Sequence, residues 1–148
     1  MTFRVEIDDT LKDLTQANDG IRAAVQLGLR LLAAQAAAQA KQTTAFKDRS
    51  GDLRKSIRAG RKSLYATWVK AGGEDAPYAR FIESGSKPHA IVARNASMLR
   101  FEQDGQIVFR RRVYHPGTKP ARFMAAARDG AEAIAHNYFE PGINSVLR

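Results

Sequence analysis

Tyr78-Ala79-Arg80-Phe81-Ile82-Glu83-Ser84-Gly85 is the stretch around which the rest of the chain is arranged. It reads as a short helix. Asp75 is placed to cap its start, because a carboxylate accepts a hydrogen bond from a first-turn N–H that has no partner inside the helix. Pro77 is tolerated there, since the N–H it lacks would be unpaired anyway. Tyr78, Phe81 and Ile82 follow i, i+3, i+4 spacing and are expected to share one face. Gly85 suits the left-handed conformation that ends a helix.

Moving toward the N-terminus, Tyr65–Ala71 alternates like a strand, with Tyr65, Thr67, Val69 and Ala71 on one face and Ala66, Trp68 and Lys70 on the other. Trp68 on the second face predicts a sheet covered on both sides, and Gly72-Gly73 ends the strand. Before it, Thr43–Lys62 is basic: Lys47, Arg49, Arg54, Lys55, Arg58, Arg61 and Lys62 outnumber Asp48 and Asp52, a local sum of +5. Ser50-Gly51-Asp52-Leu53-Arg54 predicts a turn leading into a strand or short helix. The longest element is a helix from Asn18 or Asp19 to about Gln42, about 35 Å long at 1.5 Å per residue. Ile21, Val25, Leu29 and Leu32 form its apolar stripe, which Ala24, Ala36 and Ala40 extend. Its alanine-rich second half invites close approach of another backbone, which suits either a core helix packed on a sheet or a small face against a neighbouring subunit; the first half is expected in the core and the second half is the candidate for an interface. Asp8-Asp9-Thr10 reads as a capped turn carrying Leu11 and Leu14, and Phe3, Val5 and Ile7 as a first strand with one buried face.

Toward the C-terminus, the pattern is poor from about residue 84 to 97, which predicts a loop or an extended arm. Met98–Val113 is a hairpin turning at Asp104-Gly105, two residues that tolerate positive φ. A two-residue turn would pair Phe101 with Val108. A three-residue turn with a bulge would pair Phe101 with Phe109, and this second register is expected because it joins two aromatics on a buried face. Arg110-Arg111-Arg112 ends the hairpin, and at least one of these is expected to turn inward and need a partner. His115-Pro116-Gly117-Thr118-Lys119-Pro120 is a restricted connector. A last helix follows from about Ala121 to Tyr138, with Met124, Ala127, Ala131, Ile134 and Tyr138 as its stripe. Pro141-Gly142 stops it, leaving a flexible tail at about 142–148. The whole reads as an α+β fold. A single domain over residues 1–148 carries a mixed or antiparallel β-sheet, flanked by a long N-terminal helix, a short central helix and a C-terminal helix.

The 148 residues suffice for one core, and 44% apolar and 26% charged residues are ordinary for a folded chain. No apolar run approaches the roughly 20 residues that span a bilayer, so no membrane is expected. The start lacks the apolar core of a signal peptide. Cysteine is absent, which excludes disulfides and thiolate metal sites and fits synthesis in a reducing cytoplasm. The net charge of +9 is uneven: residues 1–40 hold four basic and five acidic side chains (−1), and the remainder 20 and 10 (+10). Such an excess suits nucleic acid, an acidic protein surface or plain solubility.

Searching for chemistry gives little. The three histidines, His89, His115 and His136, are not spaced as metal ligands on a helix, and no His-Glu-x-x-His, phosphate-cradling loop or Gly-x-Ser-x-Gly elbow is present. Glu83, His89 and His115 could in principle meet in space and bind a metal, as in a nuclease. The plainer reading makes His115 a turn residue bonded to backbone, and Glu83 an anchor for an arginine or a backbone N–H. No enzyme, cofactor or metal is expected. The basic residues lie in loops and at a hairpin end, which favours contact with a phosphate backbone or an acidic surface without sequence readout. Arg54, Lys55, Arg58, Glu83, Arg110, Arg111, Arg112 and His115 are the candidate interface residues.

In order along the chain, Ser50-Gly51-Asp52-Leu53-Arg54-Lys55-Ser56-Ile57, Tyr78–Gly85, Leu99-Arg100-Phe101 and His115–Met124 resemble the small tail-component family of long-tailed bacteriophages, the tail-completion or head–tail joining proteins. The match spans roughly residues 3 to 138. The resemblance implies a structural virion protein, made in the host cytoplasm, that forms a hexameric ring in the phage neck between the head connector or stopper and the tail tube. Genome DNA would pass through its lumen with weak, sequence-blind contact at most. The alternative is a stand-alone basic nucleic-acid-binding domain.

Overall fold

A computed structural model describes residues 1–6 and 19–146 of the chain. Its centre is the helix α1 (Asp19–Gln42), with Asp19 in the first turn and Lys41 in the last, each complementing the helix dipole. Ile21, Val25, Leu29, Leu32, Ala36 and Ala40 are buried as their spacing predicts, and Ala24 is half-buried. Ile7, Asp8-Asp9-Thr10, Leu11, Leu14 and Asn18 lie outside the described residues.

On one side α1 packs on a sheet. Strands β1 (Thr2–Glu6), β2 (Arg58–Ser63) and β3 (Ala66–Lys70) are antiparallel in the order β1-β3-β2, with Phe3 opposite Val69 and Gly60 opposite Trp68. Between α1 and β2 the chain passes through the short helix α2 (Asp52–Ser56). The Asp48 carboxylate holds this helix, accepting bonds from the N–H groups of Gly51 (3.0 Å) and Arg54 (2.8 Å). Trp68 does not mark a second covering layer. It is half-buried because its ring fills the space over Gly60, and the Lys70 ammonium lies 5.0 Å from the ring centre.

On the other side of α1 lie α4 (Phe123–Ala133) and α5 (His136–Val146). The sequence predicts one helix ending before Pro141. The structure breaks it at Ile134–Ala135 and carries the second helix through Pro141 to Val146. The cost of a proline inside a helix is offset by packing. Gly28 of α1 leaves room for the Phe139 ring, and a Cβ there would lie 2.7 Å from it. Ala33, Ala36, Ala37 and Ala40 are buried against Leu53, Ile57, Phe123, Met124 and Ala127, so the small face of α1 serves the chain's own core rather than a subunit interface.

The stretch 78–85 forms α3 (Ala79–Ser84), ended by Gly85 at φ 73°. Its buried residues are Ala79 and Glu83, with Ile82 half-buried and Tyr78 and Phe81 exposed, so the expected aromatic face points outward. Asp75 makes no cap, and Tyr78 occupies the position before the first turn. The fold is α+β with antiparallel pairing throughout the described residues, but its strands form three sheets rather than one.

Candidate functional site

Residues 86–118 leave the core and form a β-arm. None of them belongs to either buried core cluster. The stretch that is poor in pattern contains β4 (His89–Val92), which pairs with β7 (Arg112–His115). Beyond them, β5 (Leu99–Gln103) and β6 (Gln106–Arg110) make the hairpin. Its register is the two-residue one, Phe101 opposite Val108, because Asp104 (φ 53°) and Gly105 (φ 78°) both adopt positive φ as a tight turn requires. The expected Phe101–Phe109 pair does not form. Phe109 pairs with Arg100 on the opposite face, where it is 52% exposed, and Ile107 beside it is 54% exposed.

The arm is fixed at its base. Ser86 and Thr118 exchange two backbone hydrogen bonds of 3.0 Å each. Gly117 (φ 92°) lets the strands close, since a Cβ there would collide with the Ser86 carbonyl oxygen. His89 and His115 lie opposite each other with rings stacked at 5.2 Å. The Gly117 N–H donates to His115 Nδ1 (3.0 Å), so His115 is the backbone-bonded turn residue its sequence position suggests. Past the base, the Ala121 and Arg122 N–H groups donate to the Ile82 and Glu83 carbonyls, and the Glu83 carboxylate caps α4 through Met124 and Ala125. The central helix is therefore the anchor between arm and core.

The expected interface residues fall in four places. Arg110, Arg111 and Arg112 are all exposed on the arm and make no ion pair among the described residues, so none is turned inward. A mid-arm position leaves every guanidinium within reach of water. Lys55 and Arg58 line a polar cleft of about 300 Å³ with Lys70, balanced by Asp52, Glu74 and Asp75. Arg54 is half-buried, donating to the Thr43 carbonyl (2.8 Å) and lying 4.8 Å over the Phe46 ring. Glu83, on α3, is buried against the first turn of α4 and forms no metal-holding group with His89 and His115. Among the described residues no group of three or more possible ligands is placed to hold a metal ion.

Two apolar surfaces were not foreseen. The arm holds six of the twelve exposed large apolar side chains among the described residues, including Ile91, Ile107, Phe109 and Tyr114, although it has no core of its own. The second surface is a cleft of about 560 Å³ between α1 and β2, lined by Leu27, Ala34, Ala59 and Leu64, with Arg30 and Arg61 also present. Leu27 and Leu31 are exposed at i, i+4 and form a stripe beside the buried one. A helix apolar over more than one face is the signal that points to them.

A protein-family model described as "Bacteriophage HK97-gp10, putative tail-component" matches residues 6–85, more than half of the chain. Comparison with curated proteins and with solved structures gives no match.

Proposed function

Because the chain belongs to the HK97 gp10-like family of bacteriophage tail components, we propose that it is a structural virion protein that forms a hexameric ring in the phage neck, joining the head connector or stopper to the tail tube. The observation that carries this reading is the β-arm. Thirty or so residues held away from the core, presenting Ile91, Ile107, Phe109 and Tyr114 to solvent, serve no purpose in folding a lone chain. Exposed apolar side chains concentrated on one protrusion mark a surface that other chains cover. A ring needs head-to-tail contacts that close by rotation, and a protruding arm fits that geometry. The reading assigns the chain no catalysis, metal or cofactor. Of the expected interface residues, the arm's Arg110–Arg112 and His115 lie where they would meet neighbours, and Lys55 and Arg58 lie on a separate polar surface.

The exposed arginines Arg110–Arg112 of the arm, which make no ion pair among the described residues, also favour a second reading, a stand-alone basic domain that binds nucleic acid through its phosphates. Mass by light scattering and a negatively stained micrograph separate the two. Rings of the purified chain, with weak DNA retention, support the neck protein. A monomer that retains DNA with a steep salt dependence overturns it in favour of the second reading.

A further inference from the structure

The cleft between α1 and β2 contains an unfilled polar position. Thr67 is 4% exposed and lines the cleft, and its Oγ1 has no hydrogen-bond partner among the described residues. A buried hydroxyl left unpaired costs free energy, so such a site is better satisfied when something polar enters with the apolar filling. The cleft walls are apolar at Leu27, Ala34 and Leu64, and β2 is an edge strand of its sheet. Arg30 and Arg61 supply positive charge and make no ion pair among the described residues.

The end of the β5–β6 hairpin has the opposite character. Its outer face presents Ile107 and Phe109, exposed. Glu102 stands directly opposite Ile107, and Asp104 occupies the turn. The outer face thus carries two carboxylates toward its turn, Glu102 and Asp104, and one guanidinium, Arg100, opposite Phe109 and farther from the turn, whereas the cleft is apolar with two guanidiniums. Arg100, opposite Phe109, and Arg110–Arg112 lie toward the end of the hairpin away from its turn, so the carboxylates of Glu102 and Asp104 lead into the cleft and the arginines trail.

We infer that the hairpin tip of one copy seats in the α1/β2 cleft of the next copy. Ile107 and Phe109 cover Leu27 and Leu64, the carboxylates of Glu102 and Asp104 face Arg30 and Arg61, and a polar group of the incoming hairpin bonds Thr67 Oγ1. The two surfaces are unlike, so the contact is head-to-tail and repeats around a ring. This rests on the reading of the chain as a self-assembling tail component.

The absence of cysteine permits a direct test. Ile107→Cys and Leu64→Cys variants are purified separately, both substitutions being at exposed positions, and treated with a thiol-to-thiol cross-linker alone and mixed, with the mass followed by light scattering up to millimolar concentration. The mixture should give a cross-linked pair and each variant alone should not. A chain carrying both should give a ladder that ends at the ring number. Phe109→Asp should weaken association by about tenfold or more while the protein stays folded. Rings that form without the mixed cross-link overturn this contact but leave the ring reading standing. A pair formed by Ile107→Cys alone, cross-linking only within one doubly substituted chain, or a chain that stays monomeric and unlinked at every concentration overturns it as well.

Discussion

The Glu83 carboxylate and the Met124 amide are joined by a 2.9 Å hydrogen bond, and the second oxygen takes the Ala125 N–H at 3.0 Å. Glu83 thus caps a helix forty residues ahead of it in the chain, through two first-turn amides that have no partner within α4. This one side chain ties the central helix to the final helices across the base of the arm.

Glu83→Ala should therefore lower the unfolding free energy by about 2 kcal/mol, since it removes a cap and leaves a buried amide unsatisfied. Glu83→Gln should lose less, keeping one carbonyl oxygen as acceptor. Urea denaturation of the three proteins checks the order wild type, Gln, Ala.

Arg54 stabilises the segment before α2 through the Thr43 carbonyl and the Phe46 ring. Arg54→Ala should cost about 1–2 kcal/mol. Reversing Arg110, Arg111 and Arg112 to Glu should change stability by less than about 0.5 kcal/mol, because all three are exposed. If the arm's arginines work in assembly, the triple variant loses tail joining with its fold intact. Unchanged joining removes them from the interface.

Thr67→Val replaces the unpaired buried hydroxyl with a methyl group. The isolated chain should be as stable as wild type or more so, by up to about 1 kcal/mol. Self-association, which the hydroxyl would serve, should weaken. A loss of stability in the monomer would mean that Thr67 is already bonded within its own chain.

Gly117→Ala should loosen the arm at its root. The residue sits at φ 92° with no space for a Cβ beside Ser86, which amounts to about 2 kcal/mol or more of strain. Hydrogen exchange of the Ser86 and Thr118 amides should accelerate, while amides of α1 keep their protection.

Much of this architecture is legible from local pattern. The stripe of α1, the alternation of β3, the Asp104-Gly105 turn and the anchoring of a backbone N–H by Glu83 all follow from spacing and side-chain chemistry within a few residues. The readings that failed needed knowledge of what lay opposite. β4 is a strand only because β7 returns beside it, twenty or so residues later. Trp68 looked like a second buried face because the sequence does not tell that its neighbour across the sheet is Gly60. Pro141 stops most helices, but α5 continues past it against Gly28 and Ala24. The hairpin register was decided by backbone angles in the turn and not by the attraction between Phe101 and Phe109. The α1/β2 cleft was hidden because Leu27 and Leu31 read as part of an ordinary helix.

We propose above all that this phage tail component joins parts of the virion. The most direct measurement is electron microscopy of particles produced without it, followed by addition of the purified protein. The account predicts separate heads and tails that become joined, infectious particles on addition. Complete necks and full infectivity in its absence would contradict it.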